Sequence, residues 1–582
     1  MLAANDNTTE QTDSAPSPAS QPSWRFGDLP AAELLPQLQQ YLLTQDTEAN
    51  WQLVWLNNDG RPVIGLLPKI SWSIYPTDKQ SSRDSLNTYK VVKHCRGTDV
   101  SSGTSANSGH AITTTYMSYL EWQDELITYS HAQAADNDTS HISSQDSTKP
   151  SYHHGLVGSI GYDVAAQELS PTANIKLATQ PCAVLGHYDI YLTPAEENGA
   201  SVWQLKVINT SSEARESRAD KQKNVNIIAL TSYLDALDQM LSAKPHRQAP
   251  LKTLSKPAPF VLQARWSHND YQHAFHQTQD YLQQGDCYQI NLTQAWQGCV
   301  DPQKQLNQSF FALIDYLPSL HHDTQAPFAG YIGFQYTSDN VNTRQRGHTS
   351  NEAHTAEQKN NFELLSCSPE LFFTFSKDNK TGKHHIRTKP IKGTMPRGNT
   401  TEQDNRYKQQ LISSEKDRAE NVMIVDLLRN DLGKYAKIGS VKVPQLFAIE
   451  SFSNVHHMVS TISAELKTDT HPLAVLFGSL PAGSITGTPK KRAVEIISEL
   501  ESAPRGAYCG TMGYMNFDGS GQWNVLIRTI QANLSSDNGI DQEGHVSLWA
   551  GGGITVASDC DAEYQECLDK VGNLLSVLAQ TT

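Results

Sequence analysis

The chain has 582 residues, enough for two ordinary domains or one very large one. Its 38% hydrophobic content, with 10 Trp, 22 Tyr and 15 Phe, supports a buried core but lies below the usual share, which points to polar insertions. A net charge of -15 argues against nucleic-acid or anionic-membrane partners, since both reward basic patches, and leaves room for a small anion in a locally basic pocket. No run approaches ~18 apolar residues, so no membrane span is expected. The eight cysteines show no CxxC pair and no zinc spacing, and the N-terminus lacks a basic region followed by an apolar one. A cytoplasmic protein with reduced thiols is the expectation.

In chain order, residues 1–23 are polar and Ser/Pro-rich and read as a disordered tail. An N-terminal region follows over 24–243, with strand-like runs WQLVWL (51–56), LVGSIGYDVA (156–165) and VWQLKVIN (202–209). IIALTSYLDALDQMLSA (227–243) has the apolar spacing of an amphipathic helix. Polar stretches at about 99–112, 131–153, 209–225 and 336–361 read as surface insertions. Residues 244–258, rich in Pro and Lys, read as a linker. The region 259–580 is where chemistry is expected: from Val261 onward long helices alternate with β-rich stretches, and Gly and Pro crowd around short polar motifs.

Several of these motifs carry candidate groups. TKPIKGTMPRG (388–398) sets Lys392 between Ile391 and Gly393. The helix predicted in SSEKDRAENVMIVDLLRNDLGK (413–434) carries Asp417 and Glu420 at i, i+3. Ser414 and Asp417 fit a capping box, which would give Asp417 a purely backbone role, whereas Glu420 stands where the helix turns apolar and needs a partner. The C-terminal helix DAEYQECLDKVGNLLSVL (561–578) buries Tyr564, Cys567, Leu568, Val571, Leu574, Leu575 and Leu578, leaving Glu563, Glu566 and Lys570 on another face. That face could simply be solvated, with a Glu566–Lys570 pair. Two helices each offering a carboxylate pair would suit Mg²⁺, which takes one or two carboxylates and keeps room for water and an anionic substrate.

His457 in NVHHMVSTIS is a half-buried polar candidate. PAGSITGTPKKRAVEII (481–497) reads as a Gly-rich turn whose helix start could bind an anion, and it does not match the phosphate-loop pattern. Arg528, read within a strand WNVLIRTIQANL (523–534), is a candidate carboxylate clamp. LWAGGGITVASD (548–559) is a strand running into three glycines, either a tight turn or a place for close ligand approach.

Taken together, the stretch from Trp266 to Leu578 resembles the chorismate-utilising enzymes: anthranilate, aminodeoxychorismate, isochorismate and salicylate synthases. The resemblance rests on ten motifs in one order, among them GDCYQINLTQ (285–294), CSPELFF (367–373), DRAENVMIVDLLRNDLG (417–433), RGAYCGTMGYM (505–515) and EYQECLDK (563–570). It implies an α/β (α+β) fold: one large chorismate-binding domain of two packed antiparallel sheets flanked by helices. It implies Glu420 and Glu566 as Mg²⁺ ligands, with Asp417 and Glu563 holding metal-bound water. Arg528, Tyr508, Lys570 and the amides of Gly552 and Gly553 would grip the substrate carboxylates, with Thr486 on the same ligand. His457 would sit near the leaving hydroxyl, and Glu370 would be the general acid.

Two positions choose among members. Gln289 stands where the water-activating members have a lysine base. Lys392 stands where anthranilate synthases have alanine, and it marks the aminodeoxychorismate synthase branch, on the route to 4-aminobenzoate and folate. The implied reaction keeps the enolpyruvyl group: a neutral Lys392 amine, its pKa brought from ~10.4 toward ~7–8, adds at C2, and ammonia then adds at C4. No glutaminase-type nucleophile surrounds any cysteine, so ammonia would come from a separate glutamine amidotransferase subunit. Anthranilate synthase component I is the competing enzymatic reading, and a catalytically silent tryptophan-binding homologue the non-enzymatic one. The hairpin SKDNKTGKHH is longer than expected for the family and should protrude into solvent.

Overall fold

The computed structural model describes residues 22–45, 52–77, 87–96, 110–135, 149–197, 199–208, 218–243, 258–301, 313–338, 358–452, 455–501, 503–536 and 544–579. Most of the expected tail and linker, and the middles of the polar stretches, lie outside these residues. Most described ends of those stretches belong to regular elements: His110–Ser118 is a strand, and Tyr119–Ala135 and Arg218–Ser242 are helices, while 149–153 is irregular.

Two large antiparallel sheets form the body, as the fold reading anticipated. The first runs, edge to edge, Ser23–Trp24, Ala200–Val207, Ile190–Glu197, Val63–Gly65, Leu53–Leu56, Gly330–Ser338, Gln358–Ser366, Thr529–Ser536, Gly544–Ile554, Gln289–Cys299 and Gln263–Ala264. The second runs Ile391–Pro396, Val455–Glu465, His384–Lys389, Leu371–Lys377, Gly521–Val525, Thr511–Asn516, Gly155–Ile160, Ala183–His187, Ile70–Tyr75, Thr88–Arg96 and His110–Ser118. Both halves of the chain supply strands to both sheets.

The apolar runs explain the layering. Successive strand residues point to opposite faces, so a strand covered on both sides reads as continuously hydrophobic. In Leu53–Leu56, Leu53 and Trp55 pack outward against helices, while Val54 and Leu56 join Val157, Val184, Phe334 and Tyr514 between the sheets. Helices Ala31–Gln45, Arg218–Ser242, His268–Gln283 and Cys560–Ala579 cover the outer face of the first sheet; Tyr119–Ala135, Glu415–Gly433 and Pro472–Ser479 cover that of the second. In the C-terminal helix the anticipated stripe faces the core, with Cys567, Val571, Leu574 and Leu578 buried and Val577 added.

LVGSIGYDVA is not one strand. Gly155–Ile160 is a strand, and after Gly161 the chain turns into the helix Tyr162–Leu169. The close approach of the Gly506 and Cys182 carbonyls leaves no space for a side chain at Gly161, and the chain bends there. The hairpin after Lys377 does project, with an exposed turn at 379–383. All eight cysteines are free, and among the described residues no helix is long and apolar enough to cross a membrane.

Candidate active site

The chain passes twice between the sheets at one place. Between Ser366 of the first sheet and Leu371 of the second lie Cys367, Ser368, Pro369 and Glu370. Between Val525 of the second and Thr529 of the first lie Leu526, Ile527 and Arg528. The crossings are laced together. The Cys367 N–H donates to the Arg528 carbonyl at 3.0 Å, the Val525 N–H to the Glu370 carbonyl at 3.1 Å, and the Ser368 hydroxyl to the Val525 carbonyl at 2.6 Å. Arg528 therefore does not lie within a continuous strand, as its apolar neighbours suggested. It sits at the kink with φ 51°, a left-handed conformation that costs a non-glycine residue about 1–2 kcal/mol.

Beside the crossings is a cavity of about 550 Å³. Every site residue expected from the sequence lines it except Thr486 and Gln289. Thr486 is fully buried and its hydroxyl donates to the Ala482 carbonyl at 2.8 Å, so it turns into its own loop. Gln289 is buried against Gly553, with both side-chain amide atoms unpartnered. The helix expected after the Gly-rich turn begins at Lys490, whose ammonium bonds Asp431 at 2.7 Å; the preceding Gly483–Ile485 turn lines the cavity instead.

Lys392 reaches the cavity through a β-bulge. Ile391 pairs with Val459 and Thr394 with His457, so Lys392 and Gly393 together oppose one residue. Such a bulge re-aims a side chain. Gly393 takes the left-handed φ of 78° that this needs, and a Cβ there would strike the Asp417 carboxyl at 2.9 Å. The Lys392 ammonium donates to Glu420 at 3.3 Å, and the two side chains are 19% and 16% exposed. Ser414 caps the Glu415–Gly433 helix by accepting from the Asp417 N–H at 3.2 Å, while the Asp417 carboxylate lines the cavity.

On the opposite wall, Gly551–Gly553 continue the strand Gly544–Ile554 and make no turn. A Cβ at Gly552 would lie 2.7 Å from Glu563 Oε2, so the glycine is what lets the C-terminal helix bring Glu563 against the strand. Glu563 also accepts from the Ser558 hydroxyl at 2.8 Å. Lys570 donates to the Gly551 carbonyl at 2.8 Å and to Glu566 at 2.6 Å, so the plain surface-pair reading of these two residues holds while they also line the cavity. The Tyr508 ring stacks on Trp549 at 6.2 Å.

Burial sets the protonation states. It pushes the Glu370 carboxyl up to about 7, with Lys392 and Lys570 pulling the other way. It holds His457 at about 4, reinforced by Arg528 and His456, so this imidazole is neutral near pH 7. His457 Nδ1 shares a hydrogen bond with the Thr394 hydroxyl at 2.8 Å. Its neighbour His456 points to the other face and bonds Asp404 at 2.8 Å, a structural role. Burial raises Tyr508 well above its ordinary range, keeping the phenol a donor. Burial also raises Glu566, but the ion pair with Lys570 overrides it, and the net shift is downward.

The carboxylates fit a hard divalent cation by donor chemistry. Asp417, Glu420, Glu563 and Glu566 line one cavity, and three of them are already neutralised by lysines: Glu420 by Lys392, Glu566 by Lys570 and Glu563 by Lys416 at 3.8 Å. Among the described residues no three His, Cys, Asp or Glu side chains converge on a ready-made site. Mg²⁺ needs only one or two protein carboxylates. The sequence reading missed Lys416, Thr394, Asn291, Trp549 and Asp569 in the lining. Thr394 was findable, since it lies two residues beyond Lys392 on a strand. Asn291 and Trp549 were not, because their side chains resemble ordinary strand residues.

A family model described as chorismate binding enzyme matches residues 100–576. Aminodeoxychorismate synthase component 1 of Salmonella typhimurium is 36% identical over 432 residues, covering 73% of this chain and 77% of that protein. The Escherichia coli protein of the same name is 39% identical over 323 residues, which are 55% of this chain and 60% of the relative. The crystal structure of anthranilate synthase component I from Streptococcus pneumoniae superimposes with a TM-score of 0.57 at 20% identity, covering 88% of this chain and 91% of that one, a likeness of fold.

Proposed function

The chain belongs to the chorismate binding enzyme family, and on that premise we propose that it aminates chorismate at C4, as an aminodeoxychorismate synthase component 1 on the route to 4-aminobenzoate. The observation that carries the reading is a primary amine, Lys392, set into the cavity by a bulge and sharing it with a carboxyl, Glu370, that burial brings to about 7.

The residues divide the work. Arg528, Tyr508, Lys570 and the Gly552 and Gly553 amides hold the two substrate carboxylates. The Lys392 nitrogen, after losing its extra proton to solvent, forms a bond to C2, the two conjugated ring double bonds each shift one place, and Glu370 gives its proton to the departing C4 hydroxyl, which leaves as water. Ammonia then bonds to C4, the two double bonds shift back, and Lys392 leaves C2 as a neutral amine. His457, neutral and fixed through Thr394, stands beside the ring. Gln289 cannot activate water as a lysine base would, which favours ammonia as the nucleophile. Glu420 and Glu566 would hold Mg²⁺, with Asp417 and Glu563 beside them. When bound, the ion supplies positive charge next to a substrate carboxylate. Ammonia would come from a separate glutamine amidotransferase, in keeping with relatives named as a component. Free thiols suit a cytoplasmic setting.

The test is incubation with chorismate, MgCl₂ and ammonium chloride, with products identified by mass. A product retaining the enolpyruvyl group and gaining nitrogen supports the reading; anthranilate with released pyruvate refutes it.

A further inference from the structure

Arg505, in the RGAYCG motif, takes no part in the chemistry above and is 1% exposed. Its Nε and Nη2 donate to the two oxygens of Glu501 at 2.7 and 2.6 Å, a bidentate pair. The remaining donors leave the pair. Nη2 also donates to the Asn291 carbonyl at 2.8 Å, and Nη1 to the Ile485 carbonyl at 3.3 Å. The Arg505 carbonyl accepts from the Tyr508 N–H at 3.2 Å. Asn291, Ile485 and Tyr508 all line the catalytic cavity, and they come from three separate pieces of chain: a strand, a 3-10 turn and a loop. Glu501 closes the arrangement by accepting from the Thr293 N–H at 3.0 Å and hydroxyl at 2.9 Å, two residues along the same strand as Asn291. The guanidinium lies 4.6 Å from the Tyr162 ring, which fixes its plane.

We infer that Arg505 is a positioning residue that sets the substrate-holding wall of the cavity, its buried guanidinium registering Asn291 against Ile485 while its backbone carbonyl anchors Tyr508 beside them. The inference deepens the proposed function and rests on it for the identity of the substrate. Its content is a division of effects. Lys392, Glu370 and His457 belong to the second sheet and its crossing, and none of them bonds Arg505. Loss of the guanidinium fork therefore loosens substrate binding and leaves the reacting groups in place. A lysine keeps the charge, but one ammonium cannot span both Glu501 oxygens and two carbonyls.

The experiment is steady-state kinetics of Arg505→Lys with chorismate varied at saturating ammonium and MgCl₂. The expected result is a KM for chorismate raised roughly tenfold with kcat within about threefold of the parent, the signature of binding lost equally from ground and transition states. Arg505→Ala is the second variant. Low-millimolar guanidinium chloride should restore its KM, which a merely loosened fold would not allow. Arg492→Lys, on the adjacent helix in the half-buried pairs with Asp286 and Glu495, should match the parent. An unchanged KM in Arg505→Lys, or a fall in kcat at constant KM, overturns the inference. If the parent instead releases pyruvate, the proposed function fails, and the same KM comparison on that reaction still decides the role of Arg505.

Discussion

Replacing Glu370 by glutamine should make the protein inactive and more stable at once. Burial lifts this carboxyl from 4.5 to about 7. Between those values the folded protein keeps a proton that the unfolded chain releases, so stability falls as pH rises through the window and changes no further above it. Two and a half pH units at about 1.36 kcal/mol each amount to roughly 3 kcal/mol. Glutamine imitates the protonated carboxyl at every pH and escapes the penalty. Glu370→Gln should therefore unfold like the parent near pH 4.5 and exceed it by up to about 3 kcal/mol at pH 8, read from urea denaturation across that range. Its turnover should drop by ~10²–10⁴, the usual contribution of a positioned acid. The parent's kcat should itself fall about tenfold per pH unit above 7 as the acid form is depleted. A stability gap that does not vary with pH, or turnover within tenfold of the parent, would refute both the buried-acid assignment and the mechanism built on it.

Lys392→Ala should suppress C4 amination and unmask some pyruvate release, measured by mass analysis and a pyruvate-coupled assay; an unchanged amination rate removes lysine from the reaction. Arg528→Lys loses the planar fork at a kinked crossing and should raise KM for chorismate by roughly 10–100-fold, the equivalent of about 1.5–3 kcal/mol for a charge-assisted contact. Gly552→Ala puts a methyl 2.7 Å from Glu563 Oε2 and must displace that carboxylate, so the MgCl₂ concentration for half-maximal activity should rise with little loss of thermal stability. Equal Mg²⁺ dependence in that variant and the parent would free Glu563 from any role near the ion.

What could be read from the sequence was whatever depends on local pattern. The stripe of Cys567, Val571, Leu574 and Leu578 follows from helical spacing, and it fixes which face carries Glu563, Glu566 and Lys570. The Ser414 cap fixed the start of the Glu420 helix. The misreadings arise where tertiary context overrides a local run. Arg528 has strand-like neighbours on both sides, and only the passage of the chain between sheets breaks the strand there. Gly551–Gly553 looks like a turn in one dimension, but it is a strand stripped of side chains so that a helix can press on it. Thr486 is polar and sits in a glycine-rich motif, yet its hydroxyl is used up by the Ala482 carbonyl. Nothing local in the sequence reveals that partner. The Arg505–Glu501 pair is an i, i+4 spacing of the kind found on any exposed helix, and only burial turns it into a fixture of the wall.

The two crossings carry a consequence for how such a protein can diversify. The amine, the acid and the imidazole are mounted on one side of the cleft, while the glycine strand and the C-terminal helix opposite act as a fixed vice. A change at Lys392 or His457 leaves the opposite wall of glycine strand and C-terminal helix untouched. New chemistry can thus arise from a few replacements on a single face, with the opposite wall inherited intact.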